Sequence, residues 1–189
     1  MPTADSFTRL TRSLAALSLT DEGRAIRERY TPVASGQAQC VPVSAPMLMV
    51  YPVVMVLEQS AEHVTITTDW LGAQRVVYTD GRGHPSAQER FPQGHSTGRF
   101  VEDALIVETT NFTDQETGGV PSGARKHLLE RFELADDGKT LRYEYFWRDS
   151  QFLTEGLMGN AELSYRPDLA PAGIACDREI AERFFREFQ

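Results

Sequence analysis

In several segments between Val64 and Trp147 apolar side chains recur at every second position, and a period of two marks those segments as β-strands. Val64, Ile66 and Thr68 alternate with Thr65 and Thr67. Leu128, Glu130, Phe132 and Leu134 share one parity, as do Leu141, Tyr143, Tyr145 and Trp147. The strands are punctuated by turn signals at Gln59 to Glu62, Trp70-Leu71-Gly72, Glu102-Asp103 and Asp136-Asp137-Gly138-Lys139. Met47 to Leu57, an apolar run interrupted by Pro52, reads as a bulged or edge strand. Asn111 to Gly123 reads as a polar loop, and Ala161 to Tyr165 as the last strand. About seven to nine strands in sequential hairpins make a mostly β, antiparallel protein. The expected form is an up-and-down, lipocalin-like barrel or a strongly curved sheet.

The period changes at both ends. Residues 5–30 read as helical, with Thr20 as an N-cap before Asp21 and Glu22, and Thr31-Pro32 as the stop. Asp177 caps a second helix on which Ile180, Phe184, Phe185 and Phe188 fall at helical spacing. That stripe is expected to plug the sheet, with packing on a partner chain as a homodimer the alternative. The 189 residues then form one domain: a helical segment over 1–35, a barrel over 40–166 and a helix over 177–189.

A chain of this length buries enough surface to fold without a metal or disulfide staple. Cys40 and Cys176 stand far apart and in no motif, and read as separate buried small hydrophobes. A long-range disulfide is the alternative. The net charge of −8 argues against nucleic-acid and anionic-membrane partners, both of which need clustered Lys and Arg. No apolar run is long enough to span a membrane. The first twenty residues lack a continuous apolar core and a cleavage site, so the expected compartment is the cytoplasm, or the periplasm if the chain is a processed form.

Two groups of residues carry potential chemistry. Strand parity sends Glu130 inward with the apolar face of 126–134, and Asp149 shares the parity of Tyr143, Tyr145 and Trp147. An inward carboxylate is either an acid/base group or the partner of a buried Arg or Tyr hydroxyl that specifies the core. The second group runs from Tyr78-Thr79-Asp80-Gly81-Arg82-Gly83-His84-Pro85 to Gly94-His95-Ser96-Thr97-Gly98-Arg99. His84 and His95 can exchange protons near neutral pH. Arg82 and Arg99 offer planar forks for an oxyanion, and the glycines let backbone N–H groups approach a ligand. The plainer reading is a loop in which Arg82 pairs with Asp80 and the histidines cap carbonyls. His63 and His127 have outward parity and read as surface residues. No HxH or HExxH spacing supports a metal centre. Gly94-His95-Ser96-Thr97-Gly98 leads into a strand, which removes the strand–turn–helix context of a nucleophile elbow.

These segments, with Asp103 to Phe112 and Leu129-Glu130-Arg131-Phe132, resemble a family of uncharacterised bacterial β proteins. Its pattern runs Tyr-x-Asp-Gly-Arg-x-His-Pro, Gly-His-Ser-x-Gly-x-Trp and Asp-Thr-Leu-Val-Val-x-Thr-x-x-Phe. The resemblance covers about residues 40–165 and implies a shared fold. It picks out Asp80, Arg82, His84, His95 and Glu130, and Phe100 replaces the usual Trp.

The leading functional expectation is a cofactor-independent lyase, hydratase or isomerase acting on a small apolar or aromatic molecule inside the barrel. His84 or His95 would be the acid or base, Glu130 its partner, and Arg82 or Arg99 the oxyanion stabiliser. Asp80 and Asp149 would help bind, and Tyr143, Tyr145 and Trp147 would form the walls. The rivals are a non-catalytic binder of a lipophilic molecule and an interaction protein that uses its C-terminal Phe stripe.

Overall fold

The computed structural model describes residues 1–2, 9, 14–32, 35–117, 120–173 and 175–187. The described residues form ten strands: β1 (Met55–Gln59), β2 (His63–Thr68), β3 (Gln74–Tyr78), β4 (His95–Val101), β5 (Ala104–Thr110), β6 (Gln115–Thr117), β7 (Val120–Ser122), β8 (Lys126–Leu134), β9 (Thr140–Asp149) and β10 (Leu157–Ser164). Eight of them form one sheet in the order β1-β2-β3-β4-β5-β8-β9-β10, curled into a half-barrel. Of the two expected forms, the curved sheet is the one adopted. β6 and β7 make a separate small hairpin inside the segment expected to be loop.

Every pairing in the large sheet is antiparallel except β3 with β4, which run parallel over Val77↔Ser96 and Tyr78↔Thr97. A parallel pair needs a crossover, and residues 79–94, which carry the conspicuous Gly, His and Arg positions, supply it. β4 already begins at His95, so the irregular stretch is shorter than the sequence suggests.

The described residues include the α-helices α1 (Asp21–Arg29), α2 (Met47–Val50) and α3 (Arg178–Glu187). Thr20 caps α1, its hydroxyl accepting from Gly23 N–H. The expected single helix over 5–30 is interrupted: Arg9, Leu14 and Ala15 are helical, 16–20 are not, Leu19 bridging Leu153 instead, and 5–8 and 10–13 lie outside the described residues. Met47 to Val50 is not a strand. It forms one helical turn whose four side chains are almost wholly buried against the sheet. An unbroken apolar run suits any element buried on all sides, so periodicity could not separate the two. Pro52 forces Tyr51 into extended backbone, which ends the turn. Each of these side chains is worth roughly 1.5–3 kcal/mol of burial, so α2 and not the C-terminal helix is the plug.

The C-terminal stripe does not enter the sheet. No described side chain of α3 is buried, and Ile180 and Phe184 are each 55% exposed. Asp177 does cap the helix, accepting from Ile180 N–H. Beside it Cys176 is bonded to Cys40, so the two cysteines are a disulfide and not separate hydrophobes. The bridge and the packing of α3 near Gln37, Trp70 and Leu71 hold the helix on the outside.

Candidate functional site

Strand parity sorts the singled-out residues onto two faces. On the core face, Arg75 of β3 reaches Glu130 of β8: its Nη1 donates to Oε1 at 2.8 Å, and its Nη2 to Oε2. Arg75 Nε donates to Ser96 Oγ at 3.1 Å, and Nη2 to Thr109 Oγ1 at 2.8 Å. Tyr143 OH donates to Glu130 Oε1 at 2.9 Å. Burial works against the Arg75 charge, but the Glu130 carboxylate outweighs it and holds the guanidinium above its ordinary value. Burial, then the Glu130 charge, push the Tyr143 phenol well up. Every one of these partners is internal, and they are of the kinds the plainer sequence reading named for Glu130, a buried Arg and a Tyr hydroxyl. Arg75 was not singled out because β3 is short, although its parity with Val77 was readable.

A second buried ionic group lies at the start of β8. Lys126 Nζ donates to Ser44 Oγ at 2.9 Å and to the Ala45 carbonyl. It stands 4.4 Å from the Phe112 ring centre and 5.2 Å from that of Trp147. Burial lowers its ammonium to about 7. Asp149, in register with Lys126, is fully buried and accepts from Gly123 N–H at 2.6 Å and Gln151 N–H at 3.1 Å. Burial pushes its carboxyl up against those donors. These contacts tie the segment carrying α2, and the 122–125 turn, to the sheet. Trp147 and Tyr145 are also packed into the core, and burial pushes the Tyr145 phenol up to about 12. The expected ligand walls are therefore filled protein interior.

The opposite face carries the histidines. His84 Nδ1 and His95 Nδ1 meet at 3.0 Å, and His84 Nε2 lies 3.3 Å from Thr97 Oγ1. Tyr78 stacks on His95, with ring centres 5.2 Å apart. The Arg82 guanidinium sits 3.9 Å over the other ring, Tyr78, and is held by Asp80 through Nε at 2.9 Å. That bond holds the Asp80 carboxyl down at about 2. Burial, then the neighbouring His84, lower His95 below 6.5. Glu108 lies 3.9 Å from His84 Nε2 and 2.6 Å from His127 Nε2, so His127 is part of the cluster and not a free surface residue. Arg99 is exposed two positions beyond Thr97 on the same face. The sheet thus separates His84, His95, Arg82 and Asp80 from Glu130, Tyr143, Tyr145, Trp147 and Asp149. Among the described residues, no three His, Cys, Asp or Glu side chains gather as a metal set.

Gly94 serves packing. At φ +69° its hydrogen faces Thr109, Phe112 and the Thr110 carbonyl, each within 2.8 Å of where a Cβ would stand.

The core face is not filled along its whole length. A groove of about 380 Å³ opens where the first and last strands of the curled sheet approach, lined by Met55, Leu57, Leu134, Leu141 and Leu163 among others. Leu57 pairs with buried Ile66, and Leu134 has the parity of Phe132, so both point to the core side. They nevertheless remain 43% and 56% exposed. No protein family profile, curated protein or solved structure matches the chain.

Proposed function

We propose that the protein binds a small lipophilic molecule in the groove at the seam of its half-barrel. The observation that carries this reading is the exposure of core-facing Leu57 and Leu134 beside a core that is otherwise packed. A volume of about 380 Å³ is within the range of small-molecule sites, at its low end. Leucine side chains supply affinity and little directionality, which suits an alkyl chain or a small ring. The Cys40–Cys176 disulfide supports an oxidising compartment over the cytoplasm. No helix among the described residues is long and apolar enough to cross a membrane.

Titration with 1-octanol, followed calorimetrically, tests the reading. One equivalent should bind wild type, and Leu134→Glu, at a position already exposed, should abolish uptake without unfolding the chain. Absence of binding to wild type, or equal binding to the variant, overturns it.

Acid/base chemistry at the His84–His95 pair is the second reading. It is favoured by two imidazoles in contact, one with a lowered proton affinity, beside an arginine. Such a site would act on a molecule held at the outer face, without Glu130.

A further inference from the structure

We propose that the seam groove selects anionic amphiphiles, holding a medium-length alkyl chain among Leu57, Leu134, Leu141 and Leu163 and a carboxylate at Lys139 and Arg166. The inference rests on the lipophile-binding reading and adds the class of headgroup.

The charge around the groove carries it. Lys139 and Arg166 line the groove, and no acidic side chain does so among the described residues. Their acidic neighbours, Asp168 on Arg166 and Asp137 beside Lys139, stand outside that lining. Lys139 is exposed and makes no ion pair among the described residues. The neighbouring Asp137 meets Lys139 through its charge and not through a side-chain bond: its oxygens accept from the backbone N–H groups of Lys139 and Thr140 and from the Thr140 hydroxyl, each at 2.8 Å. Arg166 gives Nε and Nη2 to Asp168, at 2.8 and 2.6 Å. A guanidinium has five N–H donors, so three remain for a second oxyanion. Both partners of that ion pair are about half exposed, so it resists a competing or bridging carboxylate only weakly.

The two halves of the groove match an amphiphile in order. Leu141 and Leu163 are the inner apolar positions, and Leu57 and Leu134 are the half-open ones. Lys139 precedes Leu141 by two residues, and Arg166 follows Leu163 by three, so both cations stand where the strands leave the groove. An alkyl chain would thus lie inward and its headgroup at the water-facing end. The volume of about 380 Å³ selects a medium-length chain.

Parallel titrations with octanoate, decanoate and 1-octanol at low ionic strength test the inference. Octanoate should bind about two- to fivefold more tightly than 1-octanol, the range that exposed charge pairs supply. Decanoate should gain roughly tenfold over octanoate from its two extra methylenes. The advantage of octanoate should vanish in about 0.5 M NaCl and in the Lys139→Gln/Arg166→Gln double variant, while 1-octanol binding stays unchanged. If 1-octanol binds as tightly as octanoate, or the octanoate advantage survives in the double variant, headgroup selection is wrong and the lipophile reading stands. If none of the three binds, both fall.

Discussion

Arg75 and Glu130 form a buried ion pair across three inter-strand steps of one sheet, with side chains 1% and 0% exposed. On a flat sheet those steps would span about 14 Å. Two long side chains and the curl close the gap, with Ser96 and Thr109 supporting the arginine from the strands between. The pair is a chord across the half-barrel, and its geometry holds only at this curvature.

Breaking the chord from one side leaves a charge in the core. Arg75→Met or Glu130→Leu alone should cost about 3–5 kcal/mol in urea unfolding. The double variant should be less destabilised than either single one, because it leaves no unpaired charge. Additive losses in that cycle would contradict the account.

Lys126 makes stability depend on pH in one direction. Its folded-state value of about 7 lies below the ordinary 10.5, so between those values the unfolded chain binds more protons. Stability should therefore rise as pH increases above about 7. Asp149 acts oppositely: raised above 3.8 in the folded state, it contributes stability at low pH that fades as pH climbs through its folded value. Lys126→Met should flatten the rise between about pH 7 and 9 in denaturant midpoints.

Much of this core was legible in the sequence. The parity of 126–134 and 140–149 places Glu130, Tyr143, Tyr145, Trp147 and Asp149 inward, where they are found. The same parity puts Lys126 inward, but a lysine at a strand end ordinarily snorkels to water, which hides the signal. Three features were not legible because they depend on distant chain segments meeting. The sheet that separates His84 from Glu130 is set by the parallel β3–β4 register. The pairing of Cys40 with Cys176 joins residues 136 apart. The burial of Met47 to Val50 as a helix depends on the face that receives it.

The histidine pair should report itself by NMR. His95 should titrate below 6.5, and His84→Asn should move it upward by removing a competing positive charge. Because the folded-state value is depressed, the unfolded chain takes up the proton first as pH falls. Protection factors of the 86–91 amides, the segment carried between the two histidines, should then be smaller below about pH 6.5 than above it once the base-catalysed intrinsic exchange rate is divided out.

The disulfide should matter more to α3 than to the sheet. With no described side chain of the helix buried, Cys176→Ser should release residues 177–187, seen as loss of helical signal and proteolysis near Gly173. The tryptophan environment of Trp147 should be unchanged. Collapse of the sheet in that variant would show that α3 is integral to the core.

The central claim is that the seam groove is an unfilled part of the core that takes a lipophilic guest. Methyl-resolved NMR of Leu-labelled protein titrated with 1-octanol tests it most directly. The account predicts saturable shifts at Leu57, Leu134, Leu141 and Leu163, with Leu128 and Leu153 unmoved. Shifts absent from those four methyl groups, or spread evenly over exposed leucines such as Leu129, would contradict it.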